Sequence, residues 1–145
     1  MHPIDVRDVV AWRLAHRLRL RIDLFLLSPD FRRHYGSSAV LSDVAAIGHR
    51  RIADGFARVS PLLYASDVRV AKAAQQRVLD LMADAYGQKL IAHDEYLLVE
   101  ELGKRAVRAA GRLISSLEST RAGRPQVRAK GRIQPRKRRD PRDSD

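Results

Sequence analysis

The chain has 145 residues, 45% of them apolar, enough for one domain with a buried core and short for two. Its 28 Lys and Arg against 17 Asp and Glu leave a net charge of +11, so a polyanion is the favoured class of partner. There is no cysteine, which excludes a disulfide framework, a thiolate zinc site and a cysteine nucleophile together.

Asp5 is a helix N-cap type and Asp8 stands three residues on, in the place of a capping-box acid, so a first helix is predicted from near Asp5 to Leu27. It stops there because Ser28 precedes Pro29, and a residue before proline is pushed out of the helical region. After Gly36, Ser37 or Ser38 caps a second helix whose apolar stripe is Leu41, Val44, Ala45, Gly48, Ile52 and Phe56. Ser60-Pro61 opens a third, with the stripe Tyr64, Val68, Ala71, Ala74, Val78, Met82 and Ala85 and a stop at Gly87. A fourth begins around His93-Asp94-Glu95, where acids suit the helix dipole, and continues through Leu98, Leu102, Ala106, Ala109, Leu113 and Leu117. No stretch shows the two-residue alternation of a strand. Residues 1–120 are therefore read as an all-α, antiparallel up-down four-helix bundle. Residues 121–145 carry +7 of the net charge and have Val127 and Ile133 as their only large apolar side chains. They cannot bury enough surface to offset their ordering entropy and are predicted to be a disordered basic tail.

The first helix is apolar on two sides. Leu14, Leu18, Ile22 and Phe25 form one face; Val9, Leu20, Leu24 and Leu27 form another. A helix with two apolar faces has two things to pack against, and self-association is the simplest occupant of the second.

Little in the sequence points to catalysis. His2, His16, His34, His49 and His93 include no i, i+4 pair of a helical metal site, and there is no phosphate loop and no nucleophile elbow. Asp94-Glu95 is read as a dipole complement rather than as an acid pair. The expectation is a protein that is not an enzyme and needs no cofactor or metal. No apolar run reaches membrane-spanning length, and Met1-His2-Pro3-Ile4-Asp5 does not read as the start of a signal peptide, so a cytoplasmic location without a membrane partner is expected.

The basic side chains are patterned. Arg13, Arg17 and Arg21 make one line on the first helix, while Arg50, Arg51 and Arg58 belong to the second. Arg105, Arg108 and Arg112 lead along the fourth toward the tail, where Arg136-Lys137-Arg138-Arg139 cluster. Glu100 to Lys104 and Glu101 to Arg105 have the spacing of intrahelical ion pairs, whereas Arg108 and Arg112 have no acid four residues before them. Candidate nucleic-acid-binding residues are thus Arg13, Arg17, Arg21, Arg50, Arg51, Arg58, Arg108, Arg112, Arg136, Lys137, Arg138 and Arg139. With eight aromatic residues in the chain, contact with the phosphate backbone is favoured over base stacking.

Tyr35-Gly36 followed by Ile52-Ala53-Asp54-Gly55-Phe56-Ala57-Arg58 resembles the "YG … IAEGFxR" signature of a four-helix-bundle family. That family includes proteins encoded in intervening sequences of bacterial 23S rRNA genes. Trp12, Pro29, Ser60, Tyr64, Val68, Ala71, Val78 and Glu95-Tyr96 keep the same collinear order, over roughly residues 5–118. Leu63-Tyr64-Ala65-Ser66-Asp67 and Glu101-Leu102-Gly103-Lys104 are also similar to a related branch, the accessory variability determinant of diversity-generating retroelements. The chain departs from the family at Ser42-Asp43-Val44, where an Arg-Arg-Ala run is usual, and carries its arginines at Arg50-Arg51 instead. The resemblance implies a homopentameric barrel of bundles with a basic surface, binding RNA or DNA and a reverse transcriptase, without catalysis of its own.

Two readings of function follow. One is a non-enzymatic, oligomeric scaffold that holds a nucleic acid by its phosphates. The other is a structural module whose partner is another protein, the basic tail serving only for solubility or docking.

Overall fold

In a computed structural model the described residues are 5–122, and among them every regular element is helical. The helices are α1 (Val10–Leu26), α2 (Pro29–His34), α3 (Ser38–Phe56), α4 (Pro61–Gly87) and α5 (His93–Ala122). The predicted tail, including Arg136, Lys137, Arg138 and Arg139, lies outside the described residues, except that α5 runs two residues past its expected end at 120.

Two expected boundaries are corrected. The capping box forms as read: Asp5 accepts from the Arg7 amide at 2.9 Å, and the Asp8 carboxylate accepts from the Asp5 amide at 3.3 Å. It caps only a short 3-10 turn over Val6–Asp8, because Val9 is extended (φ −78°, ψ 119°), and the long helix starts at Val10. The Arg13 guanidinium bridges the break, donating to the Arg7 and Asp8 carbonyls at 3.2 and 3.0 Å. At the other end of α1, Ser28-Pro29 not only stops a helix but starts one. Ser28 Oγ accepts from the Phe31 amide at 3.2 Å and proline occupies the first turn of α2, so the described residues hold five helices where four were expected.

α1 packs on α3 and α5, and α4 packs on the same two, so the four long helices form a ring in the order α1, α3, α4, α5. Neighbours run antiparallel. Tyr35, just ahead of α3, reaches Leu81 and Asp84 late in α4, and Ile52 late in α3 shares a cluster with Ala11 at the start of α1. Val68 early in α4 likewise meets Ala110 and Ile114 late in α5.

The core is graded along its length. One end is filled by large side chains: Leu18, Ile22, Phe31, Tyr35, Leu41, Val78, Met82 and Val99. Ile22, Leu41 and Met82 are fully buried, each contributing about 1.5–3 kcal/mol by its removal from water. The other end closes Leu14 and Ile52 within Ala11, Ala15, Ala71, Ala106 and Ala109, so the backbones approach closely there. At Gly103 an added Cβ would stand 2.4 Å from Leu79 Cδ2, so any larger residue there requires the Leu79 side chain to shift. The stripe expected for α5 is corrected: its central buried row is Val99, Ala106, Ala110 and Ile114, while Leu102 and Leu113 are partly buried and Leu98 is 58% exposed. α5 serves two neighbours, α1 and α4, so its apolar strip is wider than one row and Leu98 falls outside it. No helix among the described residues is long and apolar enough to cross a membrane.

Candidate nucleic-acid interface

Arginine is the main cation of the predicted surface, and the fold decides which arginines are left for a ligand. Arg17 and Arg21 are exposed on α1 and line a groove of about 440 Å³ with Leu20, Leu24 and Leu27 of the same helix and Leu102 of α5. Neither pairs with a carboxylate among the described residues. Further along the same α1/α5 face, exposed Arg112 lies beside Val9, Val10, Ala109 and Leu113. The structure therefore brings the first-helix row and one end of the α5 row to a single face. Arg13 belongs to the row by spacing, but its guanidinium is bound to the two carbonyls before α1.

That face is not purely polar. Leu20, Leu24 and Leu27 are 50%, 57% and 72% exposed, and Leu98 of α5 is exposed too. Leu20, Leu24 and Leu27 belong to the second apolar face read from the sequence, whose fourth residue, Val9, is partly buried against the core. Basic and apolar side chains alternate along one surface, which combines charge for phosphates with apolar area for a protein.

The arginines of α3 and the loop just after it are placed differently. Asp67 of α4 is buried, and its carboxylate takes the Arg58 Nε at 2.5 Å and the Arg51 Nη2 at 3.5 Å. A carboxylate removed from water needs such partners, so two of the predicted phosphate ligands serve the α3–α4 packing. The neighbouring signature residues do the same. A Cβ on Gly55 would come within 2.6 Å of the Tyr64 ring, and Phe56 meets that ring edge-on with centroids 6.3 Å apart. Arg50 remains exposed on α3 and unpaired among the described residues. Arg108 is exposed on α5, one turn before Arg112 in the same helical row.

Sequence reading missed a polar cluster between α1 and α3. Trp12 stacks on His16 with centroids 4.7 Å apart, and His16 meets His49 at 5.3 Å. Arg19 donates to His49 Nε2 at 3.1 Å and holds Asp23 at 3.1 Å. Arginine has only donors, so His49 Nε2 must be the unprotonated acceptor. Burial, followed by the nearby His16, Arg19 and Arg50, lowers the His49 pKa from its usual value of 6.5. The signal for this cluster was a register of aromatic and imidazole rings on facing helices, which the sequence of either helix alone does not disclose. Asp67 and Gln75 were legible in principle: both interrupt the buried side of α4 with polar groups. The Gln75 side-chain amide lies unbonded at the close α3 approach where Gly48 has no side chain.

No group of three or more metal-ligating side chains forms among the described residues. Comparisons with family models, with curated proteins and with solved structures return no match.

Proposed function

We propose that the chain is a non-enzymatic, oligomeric scaffold that binds RNA or DNA through its phosphate backbone. The observation that carries this reading is the α1/α5 face, where Arg17, Arg21 and Arg112 stand exposed among Leu20, Leu24 and Leu27. The arginines supply phosphate contacts, each releasing counterions as it binds. The leucines supply apolar area for neighbouring subunits, so the same face concentrates charge when copies assemble. The resemblance read from Tyr35-Gly36 and Ile52–Arg58 supports a five-membered ring and a reverse transcriptase as protein partner. The tail, with Arg136, Lys137, Arg138 and Arg139, extends the basic surface in this reading.

Light scattering coupled to size-exclusion chromatography, at low and high salt and with and without a mixed-sequence RNA, tests it. A salt-resistant multiple of the 16.4 kDa chain that takes up RNA only at low salt is expected. A monomer that ignores RNA overturns the proposal. The exposed leucine row favours one second reading, a protein-docking module without nucleic acid, and that reading predicts a stable oligomer or complex that never retains RNA.

A further inference from the structure

Between α4 and α5 runs a second groove, of about 480 Å³, whose character differs from the apolar one. Its lining includes Arg69, Lys72 and Gln76 from α4 and Gly111 and Ser115 from α5. Lys72 is half-buried, and among the described residues its ammonium has no carboxylate within ion-pair range and no hydrogen-bond acceptor. The useful feature is a cation facing the groove without a counter-ion: its aliphatic stem is partly covered while its ammonium still meets solvent, where an anion can reach it. A Cβ on Gly111 would stand 3.6 Å from the Lys72 Nζ, in ordinary contact, so the α5 backbone passes close beneath the ammonium. The neighbours are donors. Ser115 offers a hydroxyl, Gln76 an amide, and Arg108 stands one turn before Gly111 on the same helix. Arg69 is at the lip, held by the one acid paired there, Glu118.

We infer that this cleft is an oxyanion site that takes a phosphate group, with Lys72 as its central ligand. A tetrahedral phosphate needs several converging donors and at least one fixed cation, and the cleft supplies Lys72, Ser115 and Gln76 from two rigid helices, with Arg69 able to exchange Glu118 for the ligand. The volume exceeds one phosphate, so a phosphodiester with its sugar fits as well as a free anion. The inference rests on the proposed function only for that source: in a nucleic-acid complex the phosphate belongs to the backbone, and the site extends the basic surface to the opposite side of α5.

Amide NMR of the full chain, titrated with inorganic phosphate against chloride at constant ionic strength, tests the site alone. Saturable shifts at Gly111 and Ser115 are expected. They should vanish in Lys72→Ala and weaken in Gly111→Ala, whose new methyl makes only ordinary contact and leaves the bundle folded. With a mixed-sequence RNA oligonucleotide, Lys72→Ala should lower the slope of log affinity against log salt by about one and weaken binding roughly uniformly across sequences. Phosphate shifts lost in Lys72→Ala with RNA binding unchanged identify a site for free phosphate groups. Phosphate saturation in a chain that binds no RNA keeps the site and removes the nucleic-acid function. Shifts that never saturate, or that persist unchanged in both variants, overturn the inference whether or not RNA binds.

Discussion

Arg58 Nε stands 2.5 Å from the buried Asp67 Oδ2, tying the end of α3 to the first turns of α4. Arg51 closes the other oxygen at 3.5 Å. Truncating Arg58 to alanine leaves a carboxylate in a nearly dry position with one distant partner. The loss should be about 1–3 kcal/mol, below the full penalty for an unpaired buried charge because both guanidinium groups still reach solvent. Asp67→Asn, which removes the charge but keeps the shape, should cost less, and the effects of Arg58→Ala and Asp67→Asn should be non-additive in urea denaturation. Additive losses would show that the two side chains do not act as a pair.

The glycines separate packing from propensity. In an exposed helix, Gly→Ala gains about 0.5–1 kcal/mol, and Gly87→Ala, with nothing within 4 Å of the new methyl, should show that gain in a thermal melt. Gly55→Ala should reverse the sign and lose about 1–3 kcal/mol, because its Cβ would meet the Tyr64 ring at 2.6 Å and Asp67 Cβ at 3.0 Å. Equal effects at the two positions would contradict the close α3–α4 approach.

The strength of each sequence signal explains what was legible. Apolar periodicity placed the four long helices, and the buried rows of α3 and α4 follow the predicted stripes through Leu41, Ile52, Val68, Val78 and Met82. Cap chemistry was legible but its consequence was not: Ser28-Pro29 reads equally as a stop for α1 and a start for α2. Charge patterning was the weakest guide. Arg17 and Arg51 are both arginines on helices, and only the tertiary position of Asp67 ties one to a buried carboxylate and leaves the other unpaired on the surface. Lys72 carried no signal, because its interest lies in its place beside Gly111, on another helix.

Protonation of His49 should destabilise the bundle. The folded pKa is lowered, chiefly by burial and then by His16 and Arg19, so the folded chain binds this proton less readily than the unfolded chain. The stability contributed by the neutral ring is complete above the unfolded value of 6.5 and is lost as pH falls from there through the lower folded value. Melting temperature should therefore drop across this window, and His49→Gln, which keeps an acceptor for Arg19, should flatten the drop. The same acid dependence in both proteins would mean that other groups, and not His49, drive it.

Surface and structural arginines are distinguishable by their response to salt. Arg17 and Arg21 have no carboxylate partner among the described residues and stand on the exposed α1/α5 face. Replacing both by alanine should leave the melting temperature nearly unchanged and reduce the salt slope of RNA binding by about two, one for each phosphate no longer neutralised. Arg51→Ala should do the opposite, lowering stability by loosening Asp67 while leaving the slope in place. Fluorescence anisotropy with a labelled RNA across a salt series, paired with a melt of each variant, reads both quantities. If Arg51→Ala removed as much slope as an α1 arginine does, the α3 guanidinium would be reaching a phosphate from its place beside Asp67, and the interface would extend from α1 across to α3.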